Sequence, residues 1–314
     1  MKLIKPSFEI WNQPAGLEGV YKQIEKVGRV CYKSEDKITE GSAKPFVDRM
    51  IKSGHGAMLE HGTVYLEFHV KDPSEVGEEE YHSQQSELNK LISRYANNKY
   101  SIIKVNHYYD TVFITTNYRV LIENNWLKDL KYICEPTEFH ERRVTVHFVC
   151  DRGVSHEFVR HRVMSFAQES TRYCNYSKDK FGNEITFIIP CWMDIPEGSI
   201  NLGNYDKTSA GYNDGNVHII DTKPPYVGID FIRSLCEAEY NYLSIVRNGW
   251  KPQEARAVLP NSLKTELVVT GFVSDWNHFF DLRARGTTGA PHPQAKELAE
   301  PLMKEFIARK YINN

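Results

Sequence analysis

Apolar positions recur along this chain with two clear periods. Leu17, Val20, Tyr21, Ile24 and Val27 fall at the three-to-four spacing of an amphipathic helix over residues 17–34, with Gly28 offering a stop. After Gly54 and Gly56, the stretch Thr63–Val70 puts Val64, Leu66 and Phe68 on one side, the alternation of a half-buried strand. From 71 to 141 the chain turns polar and rich in Tyr and Asn, and suggests only strand material over Thr111–Val120 and a helix near Leu121–Tyr132. Alternation resumes in Arg143–Val149. Asp151 then stands where a helix N-cap would, opening a helix that places Val154 and Phe158 on one face and delivers Arg160, His161 and Arg162 at its C-terminal end.

Downstream, Ile185–Ile189 reads as a short strand ended by Pro190, and 195–227, rich in Gly, Asn, Asp and Pro, reads as a long mobile loop. Phe231–Val246 predicts a helix ending near Asn248-Gly249. Pro252 suits the first turn of the next helix, which carries Arg256. Glu266–Phe272 favours a strand. Ser274 can cap a helix that turns Trp276, Phe279 and Phe280 inward and ends around Arg283–Gly286, and Pro293–Tyr311 is an amphipathic helix. No repeat or linker divides the chain, so 1–314 is expected to be a single domain.

At 314 residues the chain can bury a core without metals or disulfides. Its formal charge of −2 speaks against a protein whose main task is tracking nucleic acid. Basic character is local instead: between Arg152 and Lys178 stand five Lys or Arg against two acids, Glu157 and Glu169. The six cysteines, at 31, 134, 150, 174, 191 and 236, form no CxxC pair and no disulfide framework, which suits a reducing cytoplasm. No apolar run approaches the roughly 18 residues of a membrane span. The opening MKLIKPSFEIW is broken by Lys and Pro before a signal-peptide core can form, so neither membrane nor export is expected.

The local cations carry the chemistry. Arg160, Arg162 and Arg172 offer guanidinium forks for phosphate or carboxylate oxygens, with Gln168, Ser170 and Thr171 as neutral donors among them, a set suited to a small phosphorylated ligand. A helix C-terminus tolerates such a cluster because its dipole favours cations. His156-Glu157-x-x-x-His161 is one residue too long for the zinc motif that needs histidines at i and i+4, so no metal site is expected. Ser170 lacks a His and carboxylate to activate it as a nucleophile, and Cys174 reads more readily as a buried thiol than as a catalytic one.

The segment RHRVMSFAQESTRY (Arg160–Tyr173), in which Ser170 follows Arg162 after seven residues, resembles the signature of the flavin-dependent thymidylate synthases, the ThyX family. Ala167-Gln168 stand where the family commonly has Asn-Glu. Two further blocks agree in order: GHGAMLEHGTVYLEF (Gly54–Phe68) upstream, and EARAVLP (Glu254–Pro260) followed by NHFFDLRAR (Asn277–Arg285) downstream. The resemblance implies an α+β fold, a central mixed or antiparallel sheet flanked by helices, with 71–141 as a family-atypical elaboration.

It further implies reductive methylation of dUMP to dTMP, with FAD as cofactor, methylenetetrahydrofolate as carbon donor and NADPH as reductant, in a homotetramer with shared sites. Arg160, His161 and Arg162 would line the flavin site, with Thr63, the neighbourhood of His61, Gln168, and His278 where the family usually has Asn. Ser170, Thr171, Arg172 and Arg256 would hold the dUMP phosphate, with Arg160, Gln168 and Glu169 bordering the nucleotide. Arg283 would sit against the pyrimidine as the catalytic residue, favouring loss of the N3 proton. Glu157 falls where the family commonly has Gln, at a substrate contact. Two alternatives stay open: a metal-dependent nucleotide phosphohydrolase, and a non-catalytic nucleotide- or RNA-binding module in which arginines and tyrosines engage phosphate and base.

Overall fold

The computed structural model of the chain describes residues 1–108, 110–178, 181–200, 211–213, 218–220 and 227–313. In chain order its strands are β1 (Lys2–Ile4), β2 (Ser7–Trp11), β3 (Thr63–His69), β4 (Ile102–Asn106), β5 (Thr111–Asn117), β6 (Arg143–Asp151), β7 (Ser165–Gln168), β8 (Thr186–Ile188), β9 (Gly198–Ser199), β10 (Gly211–Asn213), β11 (His218–Ile220) and β12 (Lys264–Phe272). The principal helices are α1 (Gly16–Tyr32), α2 (Ala43–Lys52), α3 (Glu78–Ala96), α4 (Tyr118–Glu123), α5 (Arg152–Phe158), α6 (Val227–Arg247), α7 (Val273–Phe280) and α8 (Pro293–Ala308).

The fold is α+β, and its central sheet is antiparallel in the order β2-β6-β12-β7. Period-two alternation in β6 sends Val144, Val146 and Phe148 to one face, where they pack on Trp276, Phe279 and Phe280 of α7 and on Leu298, Leu302 and Phe306 of α8. The other face, through Ala167 and Val268, is covered by Val27 and Val30 of α1. Each fully buried ring, such as Phe280 or Phe306, contributes about 2 kcal/mol by leaving water. Among the described residues the parallel pairing, β1 with β8, lies in a small sheet β8-β1-β9.

Several sequence expectations are corrected. Gly28 does not stop α1, which continues to Tyr32; it packs against α2, where a Cβ would lie 2.5 Å from the Phe46 ring. The helix ends at Lys33 instead, in the left-handed region at φ 47°, with its amine bonded to Glu266 and Glu35. Ser274 is no cap: it is exposed within the first turn of α7, and Asp275 caps that turn by accepting the Phe272 N–H at 3.1 Å. The strand expected over 111–120 stops at Asn117, whose side chain accepts the Val120 N–H and opens α4. The helix expected over 121–132 is interrupted at Asn125, φ 59°, and continues as a turn of 3-10 type.

The largest correction concerns 71–141. The segment contains α3 and β4, neither of them predicted, and β5 is the middle strand of a sheet β3-β5-β4 with every residue buried. Leu88, Leu91 and Tyr95 of α3 pack with Val64 and Leu66 of β3 and Phe46 of α2 in a second core. The Arg94–Asp129 ion pair ties α3 to the turn after α4. This segment is therefore built into the fold instead of decorating it. Most of the loop expected over 195–227 lies outside the described residues; within it, β10 and β11 pair antiparallel.

Candidate active site

β6 runs into Asp151, whose carboxylate accepts the Val154 N–H at 2.8 Å and so starts α5 as its N-cap, as the sequence predicts. α5 folds back along the sheet because Phe158 buries against Phe148 and Phe279, ring centroids 5.1 and 4.9 Å away. Arg160-His161-Arg162 follows the helix as a turn. Val163 then reverses the chain at φ 69°, a conformation a β-branched residue rarely adopts. β7 follows along the sheet edge.

Glu157, Arg160, His161, Arg162, His278 and Arg283 line one open cleft of about 690 Å³. Its far wall is the loop 288–292, which follows Gly286 at φ 72°; there a Cβ would stand 2.9 Å from Pro291. Arg283 comes from the wide turn Asp281–Arg285 after α7 and is held on three sides. Its Nε–H donates to His161 Nε2 at 3.0 Å, and its two terminal nitrogens donate to the Glu157 carboxylate at 2.5 Å and the Glu157 carbonyl at 2.9 Å. Of the five N–H groups of a guanidinium, two stay available for a ligand.

His161 is buried, tilted against Phe279 and near His278. Burial first, and the Arg283 charge second, push its imidazole down to about 4. It is therefore neutral at pH 7, and because Nε2 accepts from Arg283, its proton sits on Nδ1. Arg160 and Arg162 are exposed, and neither pairs with a carboxylate among the described residues. Three guanidinium groups against the single carboxylate of Glu157 leave the cleft with an excess of positive charge.

The remaining predicted residues lie elsewhere. β7 is extended, so its four residues span roughly 10 Å. The basic turn sits at its start and Ser170, Thr171 and Arg172 beyond its end. There Arg256 donates to Thr171 Oγ1 at 3.2 Å, Ser170 N–H donates to the Cys31 carbonyl, and the Arg172 guanidinium lies over the Tyr173 ring. Gln168 is spent on Ser155 and Thr265, and Glu169 is buried on Lys264 at 2.8 Å. Thr63 lines a separate pocket of about 140 Å³. His61 is fully buried, bonded to Thr270 at 2.8 Å and held neutral by burial, so it presents no surface to a ligand. The loop 288–292 is a site-forming part that sequence reasoning missed; only the run of Gly and Pro after Arg285 signalled it.

Cys174 is buried and its thiol pushed up to about 12, chiefly by burial, so it supplies no thiolate near pH 7. Among the described residues no group of three or more His, Cys, Asp or Glu could hold a metal ion, and no helix is long and apolar enough to cross a membrane.

Fold and cleft thus define an α+β protein with a cationic cleft around one arginine held by three hydrogen bonds. The sequence profile of the family described as "Thymidylate synthase complementing protein" matches residues 123–309, and the chain belongs to that family. It is 30% identical over 155 residues to a flavin-dependent thymidylate synthase of Corynebacterium aurimucosum, covering 49% of this chain and 53% of that protein. It is 27% identical over 163 residues to the enzyme of the same name from Pyrococcus horikoshii, 52% and 54% of the two chains. The chain spans about half the length of these curated relatives. A crystal structure of the UMP/dUMP methylase PolB from Streptomyces cacaoi aligns over 98% of this chain and 93% of that one, at 16% identity and a TM-score of 0.41.

Proposed function

We propose that this chain is a flavin-dependent thymidylate synthase, converting dUMP to dTMP with methylenetetrahydrofolate as carbon donor and NADPH as reductant, in the cytoplasm. The observation that carries this reading is the cleft in which Arg160, Arg162 and an immobilised Arg283 meet inside a family-matched segment. Unneutralised cations fit an anionic flavin and a nucleotide, and FAD, when bound, supplies the hydride.

The protein's own part is electrostatic. Arg160 and Arg162 would meet the negative charge of the cofactor, with His161 and His278 on the same wall. Arg283, oriented by Glu157 and His161, would direct its two free N–H groups at the pyrimidine and favour the ring that has lost its N3 proton. Glu157 would act chiefly by holding Arg283, with its ion pair limiting the repulsion a carboxylate would exert on a nucleotide. Ser170, Thr171, Arg172 and Arg256 would anchor the phosphate, with Gln168 and Glu169 bracing that segment from beneath. Thr63 would contact cofactor from the neighbouring pocket. Because β7 separates the phosphate cluster from the Arg283 cleft, the complete site is best read as assembled between subunits of a homotetramer.

Incubation with FAD, dUMP, methylenetetrahydrofolate and NADPH should yield dTMP, measured by mass spectrometry, only when FAD is present. Bound flavin without dTMP would overturn the substrate assignment, and absence of both would overturn the reading as a whole.

A further inference from the structure

A second open cleft, of about 500 Å³, lies between the end of α6, the turn 175–178 and the short helix Pro252–Ala255. α6 is closed off by its own backbone: the Asn248, Gly249 and Trp250 N–H groups donate to the Ser244, Val246 and Ile245 carbonyls at 3.0, 3.0 and 3.2 Å, with Gly249 at φ 96° reversing the chain. The backbone beneath Trp250 is thus fixed, yet its indole stays 54% exposed, whereas Trp11 and Trp276 are buried. Leu243 and Val246 line the cleft with it.

Lys178, Arg247 and Lys251 line the same space. Among the described residues no carboxylate lines it, and none of the three cations makes an ion pair. Asn175 Oδ1 is taken by the Ser177 N–H and Oγ–H at 3.0 and 2.7 Å, which leaves the donor end of its amide for a ligand. Two pieces of chain join this cleft to the cluster at Thr171 and Arg256. Lys251 and Arg256 flank Pro252–Ala255, so five helical steps, about 7.5 Å, separate them. The turn 175–178 directly follows Ser170–Cys174, itself closed by the Tyr173 and Cys174 N–H groups on the Ser170 carbonyl at 3.1 and 2.9 Å.

A solvated basic patch needs no indole, and a stray surface indole needs no cations. Together they suit a flat ring joined to several negative charges: any base can stack on an exposed aromatic ring, while lysine and arginine hold phosphate. The space is large enough for a whole nucleotide. We propose that this cleft is a second nucleotide site, separate from the arginine cleft, which takes a nucleoside triphosphate with its base on Trp250 and its phosphates on Lys178, Arg247 and Lys251. The site is additional to those of the synthase reading, and its ligand binds whether or not the chain methylates dUMP.

Calorimetric titration with ATP, dTTP and inorganic tripolyphosphate tests this on wild type, Arg247→Ala/Lys251→Ala and Trp250→Ala. The three side chains are exposed, so both variants should fold normally, which urea midpoints verify. Wild type should bind ATP and dTTP with similar Kd, and tripolyphosphate about tenfold more weakly for want of a base. In the double variant both nucleotide Kd values should rise about tenfold, the loss of charge-assisted contacts, with the dUMP Kd within about twofold of wild type. Trp250→Ala should weaken the nucleotides to the level of tripolyphosphate and leave tripolyphosphate unchanged. Tripolyphosphate that matches the nucleotides in wild type overturns the site, since charge alone would then suffice. Nucleotide Kd values that neither variant moves overturn it as well, and so does a wild type that binds no triphosphate. A wild type that binds ATP and dTTP but neither binds dUMP nor forms dTMP keeps this site and overturns the synthase reading instead.

Discussion

His161 should make the protein acid-labile in a way that can be read residue by residue. The folded protein keeps this imidazole neutral, at about 4, against about 6.5 in an unfolded chain. Below pH 6.5 the unfolded state binds a proton that the native state refuses until about pH 4. The stability tied to the neutral ring is thus complete above 6.5 and is lost as the pH falls toward 4. At 1.36 kcal/mol per unit, moving from pH 7 to pH 4.5 should remove about 2.5 kcal/mol through this one residue. His61, still more strongly depressed by burial, adds a similar loss. It cancels when wild type is compared with His161→Gln, which cannot titrate. Urea unfolding of both proteins at pH 7 and pH 4.5 measures the gap between them, and that gap should shift by about 2.5 kcal/mol against wild type on acidification. A gap constant within about 0.5 kcal/mol would refute the neutral, Arg283-bonded imidazole.

Asp151→Ala removes the cap of α5 and strands the Gln294 amide that donates to the other carboxylate oxygen at 2.8 Å, and should cost about 2 kcal/mol by calorimetry. Asp151→Asn should recover the share due to the cap, since its Oδ1 can accept the same N–H, while its Nδ2 meets Gln294 only once that amide flips to offer Oε1; an Asn variant as unstable as Ala would disprove the capping account. Arg283→Ala should abolish dTMP formation while the purified protein keeps its flavin absorbance, and an active variant would sink the catalytic assignment. Cys174→Ala should leave turnover within about twofold, because a buried, protonated thiol takes no part in chemistry at neutral pH; complete loss in a folded variant would reopen a thiolate route.

Much of this protein is local and was legible as such. The alternation of β3 and β6, the Asp151 cap, and the inward set Trp276, Phe279 and Phe280 follow from periods of two and 3.6 residues, which a single segment displays by itself. The basic turn and Arg283 were likewise readable as residue types and as a family pattern. The helix α3 was not, because its buried face rests on only Leu88, Leu91 and Tyr95 among nineteen mostly polar residues, and what makes it a helix of the core is the sheet it covers. Gly28 looked like a terminator for the same reason: its meaning lies in a Phe46 ring that arrives from another helix.

The site divides along the same line. Residue types and spacing picked out the side chains suited to phosphate, and the family resemblance those expected at a flavin. Which of them meet was decided by strand pairing: β7 carries the basic turn to one end of the sheet and Ser170–Arg172 to the other, while Arg283 closes on Glu157 from 126 positions away. The partnerless Nε of Arg143 is visible only once packing has removed water from around it. Periodicity is a property of neighbouring residues, whereas counter-ions, close approaches and shared clefts belong to residues brought together by packing, and the sequence leaves those to the tertiary structure.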